Sequence, residues 1–280
     1  MVPTPFARER EVALAVAREA AAFIRSHTGR VAVRAKGTHD LVTDVDAGAQ
    51  RLIHGRLRTA FPGDAFLGEE DEADALGLAL GPYPGRRWIV DPLDGTTNFA
   101  HGIAPYAVSI ALEVAGRPVV GVVLDVPHNE AWVAAEGAGL TLNGEPAGVS
   151  GTTALDEALL ATGFPFREYG YVDGYLEAFE AAIRGTRGVR RHGSAAVDLA
   201  WVAGGRFDGF FEAGLAPWDV AAGVLLVREG GGRATGLDGA ADPVFSGGIV
   251  ASGPGLHGAM LTLSAPLSRA FARSRDTAAD

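Results

Sequence analysis

The dipeptide Asn143-Gly144, set between the short apolar runs 140–142 and 147–149, constrains the fold of this chain more than any other stretch. Both central residues of a type I′ turn need positive φ, which Asn and Gly adopt readily, so the two runs are predicted to pair as a hairpin. Similar runs with turn residues between them precede it at 65–67, 88–90, 107–114, 119–126 and 131–134. The middle of the chain therefore reads as a mainly antiparallel sheet. Residues 6–27 carry Val12, Val16, Ala20, Phe23 and Ile24 at helical spacing among Arg and Glu, and Gly29 would end that helix. A β-like 31–33 and the segment 41–46 lead into a second helix, 47–60, stopped by Pro62 and Gly63. Beyond the hairpin, helices are predicted at 173–183, 193–203, 217–229 and 254–263, with extended segments at 208–212 and 248–252. No repeat or low-complexity linker intervenes, so the expectation is one α/β domain of layered helices and sheets over 1–264. The charged, Ser- and Ala-containing 265–280 reads as a loosely held tail.

With 280 residues, 48% of them hydrophobic, the chain can bury a substantial core. No apolar run reaches membrane-spanning length, and no charged n-region, apolar h-region and cleavage site occur in order, so a cytoplasmic protein is expected. The absence of Cys excludes disulfides, thiolate metal sites and a cysteine nucleophile, leaving oxygen or imidazole for any metal. A formal charge of -10 makes non-specific attraction to nucleic acid or an anionic membrane an unfavourable default. A phosphate ester can bind such a protein only where cations, backbone N–H groups or a helix N-terminus reverse the local potential.

The string Asp91-Pro92-Leu93-Asp94-Gly95-Thr96-Thr97-Asn98 follows the strand-like 88–90 and sets two carboxylates three positions apart on a turn. Hard divalent cations take oxygen ligands, and a free peptide carbonyl, here that of Leu93, can add another. Gly95 lets a backbone N–H approach a phosphate, while Thr96 and Thr97 supply hydroxyls where a following helix would begin. A lone Asp-Gly would read as an Asx turn or helix cap; the whole string, accompanied by further acids, reads as a place for metal and phosphate together. Upstream, Gly68-Glu69-Glu70 ends an apolar strand in adjacent carboxylates, of which a strand can aim only one at a given site. Asp44 and Asp46 share a face at period two, and either could instead cap the next helix. Downstream, Asp219 stands in the first turn of a helix, where an acid ordinarily complements the helix dipole. No Walker A, His-Glu-x-x-His or Gly-x-Ser-x-Gly string occurs, and the seven His lack metal spacing.

Together these strings resemble the inositol monophosphatase family of metal-dependent, lithium-sensitive phosphatases, from about Val12 to Gly253. Its Gly-Glu-Glu, Asp-Pro-Ile/Leu-Asp-Gly-Thr-Thr-Asn and Trp-Asp elements all occur in order. The resemblance implies an αβαβα layered sandwich, shared with fructose-1,6-bisphosphatases, and a homodimer. It implies Mg²⁺, two or three ions per site: Glu69 and Asp91 with the Leu93 carbonyl for the first, and Asp91, Asp94 and Asp219 for the second. A third would lie near Glu69 through waters. Asp46 and Thr96 would orient or deprotonate the nucleophilic water, with Glu69 in the same catalytic group. Phosphate would rest on Asp94 and the amides of Gly95 and Thr96, and the leaving alcohol near Ala195 and Glu212; Lys36 matches a basic position near the site. The expected substrate is a small phosphorylated polyol or sugar, inositol 1-phosphate first, with fructose-1,6-bisphosphate, histidinol phosphate or a 3′-phosphoadenosine nucleotide as competitors. From another class comes a binding module associated with the transcription machinery and RNA; the net charge and the single Lys weigh against direct RNA contact.

Overall fold

Apolar periodicity decides where each element forms and which face it buries. The structure is a computed structural model and describes residues 5–28, 33–37, 40–70, 81–166 and 168–279. Helix α1 (Ala7–Ser26) precedes the antiparallel ribbon of β1 (Val33–Gly37) and β2 (Asp40–Thr43), then α2 (Asp44–Ala60). There follow β3 (Ala65–Gly68), β4 (Arg86–Asp94), the short α3 (Thr96–His101), β5 (Ala107–Val114), β6 (Arg117–Asp125), β7 (Glu130–Ala135), β8 (Gly139–Leu142) and β9 (Glu145–Ala147). The second half holds β10 (Leu159–Thr162), α4 (Val172–Gly185), β11 (Gly188–Arg190), α5 (Ala195–Ala203), β12 (Gly209–Ala213) and α6 (Pro217–Glu229). It closes with β13 (Arg233–Thr235), β14 (Gly248–Ser252) and α7 (His257–Ala279).

Strands β3 to β9 form a seven-stranded sheet in sequence order, antiparallel except for the β3–β4 pair. The predicted hairpin is present, with Asn143 at φ 52° and Gly144 at φ 92°. A five-stranded sheet runs β11-β10-β12-β14-β13, parallel on both sides of β10 and antiparallel beyond β12. On the large sheet Trp88, Val90, Ile110, Leu112 and Val122 face α1 and α2. Ile89, Ala111 and Val123 alternate with them toward α5 and α6. Those two helices lie between the sheets and are apolar on almost every side, as in Leu199, Val224 and Leu226. Gly121 lets α6 approach the large sheet, since a Cβ there would lie 2.8 Å from the Ala222 carbonyl oxygen. The outer face of the small sheet is covered by α4 and α7 through Tyr175, Ala178, Met260 and Leu267. The layers are thus α, β, α, β, α, as the family resemblance implied.

Two expectations need correction. Helix α2 begins at Asp44 rather than Ala47, because Thr43 caps it and Asp46 closes the capping box. The stretch expected as a loose tail is the second half of α7, where Leu267, Ala270 and Phe271 dock at helical spacing on the outer core. Pro266 lies inside α7, where a helix already packed on its neighbours tolerates the lost N–H. Of the predicted strand 31–33, residues 31–32 lie outside the described residues, as does the side chain of Lys36 on β1. Among the described residues no helix is long and apolar enough to cross a membrane.

Candidate metal centre

A bulge in β4 builds the heart of the site. Pairing with β5 proceeds to Asp91↔Ser109 and resumes at Asp94↔Ala107, with the register shifted between them. The two carboxylates expected on a turn therefore sit within the strand end itself. The Leu93 amide donates to Asp91 Oδ1 (2.9 Å), and its fully buried side chain anchors the bulge. Gly95, at φ 90°, then starts α3, and a Cβ there would come within 3.1 Å of the Pro105 carbonyl oxygen. Glu69 arrives from β3, its amide donating to the Val90 carbonyl (3.1 Å) beside Asp91. The next amide, of Glu70, donates to Gln50 Oε1 (2.9 Å), and it is Glu69 rather than Glu70 that lines the cleft.

Asp219 comes from the first turn of α6, where its Oδ2 accepts from the Ala216 amide (2.7 Å). Its ordinary role as a cap is therefore real, and it coexists with a second one. Asp91, Asp94 and Asp219 each present a carboxylate oxygen within 4.8 Å of the others. Asp94 is held by Ser194 Oγ (2.6 Å) and the Ala196 amide (2.7 Å), both donating to its Oδ2 from the start of α5. Asp91 is 1% exposed, and burial first, then Glu69, Asp94 and Asp219, push its carboxyl well above the usual range. Such a group of acids is stable as anions only around a cation. Its donors are all oxygen, which suits a hard divalent ion such as Mg²⁺, so the residues fit the metal that the resemblance implied.

Beside this cluster Asp46, 1% exposed, accepts from Thr96 Oγ1 (2.8 Å) and from the Thr43 amide (2.8 Å) and hydroxyl. The Thr96 hydroxyl also lies 3.0 Å from the Leu93 carbonyl oxygen. Burial raises the Asp46 carboxyl, with these hydrogen bonds opposing the shift. The whole set opens into a cleft of about 480 Å³ that also contains Gly95, Ala195 and Glu212, so the sequence-predicted residues meet there apart from Asp46, which reaches it through Thr96.

In the same cleft Glu212 of β12 lies over Gly163, where a Cβ would come within 1.8 Å of Glu212 Oε1. Its carboxyl is pushed well up by burial and then by Asp198, with Arg191 opposing. Arg191 itself lies over the rings of Phe164 and Phe166, 5.4 and 5.1 Å from their centroids. Asp198, 1% exposed, pairs with His192 Nδ1 at 3.1 Å. Asn98 Nδ2 donates to the His192 carbonyl (2.6 Å) and the Pro105 carbonyl (2.8 Å), tying this loop to α3. Sequence reasoning missed Ser194, Asp198 and the Phe164–Arg191–Phe166 stack. Ser194 carried a helix-capping signal, but nothing local linked it to an Asp 100 residues away.

Five alternating layers with an all-oxygen carboxylate cluster opening into a cleft are the frame of a metal-dependent phosphatase. Residues 7–269 match the model of the inositol monophosphatase family, and the chain belongs to that family. The Nus factor SuhB of Pseudomonas aeruginosa is 43% identical over 262 residues, covering 91% of this chain and 95% of that protein. The inositol-1-monophosphatase of Mesorhizobium japonicum is 42% identical over 237 residues, covering 84% and 87%. Among solved structures, the extragenic suppressor protein suhB of Bartonella henselae superposes with a TM-score of 0.83 at 38% identity, covering 92% of this chain and 97% of its own. The inositol monophosphatase of Anabaena superposes with a TM-score of 0.80 at 35% identity, covering 93% and 96%.

Proposed function

We propose that this protein hydrolyses inositol 1-phosphate to inositol and phosphate, using Mg²⁺ held by Glu69, Asp91, Asp94, Asp219 and the Leu93 carbonyl. The observation that carries the reading is the buried Asp91 among three further carboxylates at the mouth of a cleft. When bound, the metal supplies positive charge to the phosphoryl, attacking and leaving oxygens, the chief requirement of a very slow uncatalysed hydrolysis. The chain supplies the rest. Thr96 Oγ1 donates to Asp46, so it can accept from a water and align that water, while the raised Asp46 carboxylate is placed to take a proton through it. Asp94, fixed against α5 by Ser194 and Ala196, cannot swing away from the phosphate end. Glu212 offers oxygen to the hydroxyls of a polyol, which favours inositol over a substrate with a second phosphate at that end.

Phosphate release from inositol 1-phosphate, fructose-1,6-bisphosphate, histidinol phosphate and 3′-phosphoadenosine 5′-phosphate, with and without Mg²⁺, tests the reading. Magnesium-dependent release, fastest on the inositol ester and lowered at least about 10³-fold in Asp91→Asn, is expected. Near-normal turnover of that variant at saturating Mg²⁺ would sink the metal assignment.

A second reading follows from the relatives named Nus factor SuhB, as similar to this chain as those named inositol-1-monophosphatase. A role in transcription is compatible with that similarity. Retention of all four carboxylates favours catalysis, and a salt-dependent RNA gel shift tests for direct RNA binding.

A further inference from the structure

Apart from the phosphatase cleft, a second opening of about 500 Å³ lies where the β5–β6 hairpin meets the end of α6, β13 and the residues around Ala241. Three arginines, Arg117, Arg228 and Arg233, line it against one acid, Asp242. That local excess of positive charge stands out in a chain of net charge -10. Each arginine is delivered by a different element. Arg117 opens β6 immediately after a tight turn whose Ala115 and Gly116 have φ of 49° and 81°. Arg233 and Thr235 share one face of β13, while Ala234 between them is buried in the central core. Arg228 Nη2 donates to the carbonyls of Ala234 (3.3 Å) and Ala241 (2.5 Å), which holds its guanidinium against β13.

The ordinary role of an arginine in a last helical turn is to complement the dipole. That role is largely filled here, because the amides of Gly230, Gly231 and Gly232 donate to the carbonyls of Leu226, Arg228 and Val227 at 2.9, 3.0 and 2.8 Å. It leaves Arg117 and Arg233 unexplained. Among the described residues Arg228 and Arg233 enter no ion pair, and Arg117 meets only Glu136, at 3.5 Å with side chains 71% and 46% exposed. The acid next to Arg228 in sequence, Glu229, is engaged elsewhere, accepting from the Gly137 (2.9 Å) and Gly139 (2.8 Å) amides. Burial also lowers the Arg228 pKa, with Asp242 opposing the shift.

We propose that this cleft is a second, metal-independent anion site, which takes a compact, multiply charged phosphate such as pyrophosphate or the phosphate end of a small organic phosphate. Planar guanidinium forks match phosphate oxygens in pairs, and three of them around one opening can hold a group with several such oxygens. The two sites share no lining residue and stand at opposite ends of α6, whose 13 residues span about 20 Å. Binding at one is therefore separable from binding at the other.

Calorimetric titration of inorganic pyrophosphate into the full chain in EDTA tests the proposal, since chelation removes the metal-dependent phosphate contacts. Saturable binding is expected in the wild type and in Asp91→Asn, weakened at least tenfold in the double variant Arg117→Gln, Arg233→Gln. Both arginines are exposed, and an unchanged Tm in that variant confirms that it folds. Addition of ATP in a parallel arm distinguishes an organic phosphate, by its tighter binding, from pyrophosphate alone. The proposal is overturned if the wild type shows no saturable binding of either probe at millimolar concentration, if the double variant binds as well as the wild type, or if Asp91→Asn abolishes binding.

Discussion

Asp198 shows how burial turns one carboxyl into a sensor of pH. Its carboxyl is pushed up to about 6, by burial first and against the pull of His192, from an ordinary value of 3.8. The folded protein therefore favours the neutral form, so the contribution of Asp198 to stability is full below about pH 4 and is lost as pH rises through 6. In Asp198→Asn that loss disappears. The fall in stability of the wild type between pH 4 and pH 7 should be flatter in the variant by on the order of 2–3 kcal/mol. Thermal unfolding across that range decides it, and parallel curves for the two proteins would show that another group titrates. Glu212 makes a different demand, because on the proposed reading its carboxyl, raised by burial first, meets the leaving alcohol rather than a metal. Glu212→Gln should raise KM or change substrate ranking while kcat stays within about tenfold. Gly163→Ala should act in the same direction without removing the carboxyl, since the new methyl would displace it. A large loss of kcat with unchanged KM in either variant would contradict the positioning role.

At the scale of elements, the site depends on how closely α6 lies on the large sheet. Gly121→Ala would drive a methyl to 2.8 Å from the Ala222 carbonyl, and helix and sheet must part to admit it. The expected result is a loss of about 1–3 kcal/mol in stability and weaker Mg²⁺ activation, because Asp219 rides on the displaced helix. Unchanged Mg²⁺ dependence in a destabilised variant would show that the first turn of α6 is held independently of its middle. Much of this architecture was legible because short-range signals agree with the fold. Helix α1 declared itself by periodicity, the β8–β9 turn by Asn143-Gly144, and α6 by Pro217 at its first position. The carboxylates that the fold gathers at the cleft were legible as strings in order. What stayed hidden depends on partners distant in sequence. The strands β10, β11 and β13 are three or four residues long and acquire their pairing only from the sheet. The far half of α7, read from its composition as a tail, gains its place only by packing on the outer core, and Ser194 and Asp198 gain meaning only when α5 meets β4 and the His192 loop.

For the molecule as a whole, the acidic cluster is a joint between layers. Asp91 and Asp94 belong to the large sheet, Asp219 to the central helix layer, and Asp94 also fastens the start of α5. When ionised, these groups would repel one another across the layers, and a cation held between them would offset that repulsion. A ligand bound only by the folded state stabilises it by RT ln(1 + [L]/Kd), about 2.7 kcal/mol at a hundredfold excess over Kd. For a protein of this length that corresponds to a rise in Tm of roughly 5 °C. Mg²⁺ should therefore raise the Tm of the wild type by such an amount and leave Asp91→Asn nearly unmoved. The variant carries a further signature. With one of the clustered negative charges removed, its Tm in EDTA should equal or exceed that of the wild type, although its activity is lost. Calorimetric scans of both proteins with EDTA and with Mg²⁺ measure all four values. A variant less stable than the wild type in EDTA would mean that Asp91 is held by internal hydrogen bonds worth more than the repulsion around it, and that the cluster is a structural network before it is a metal site.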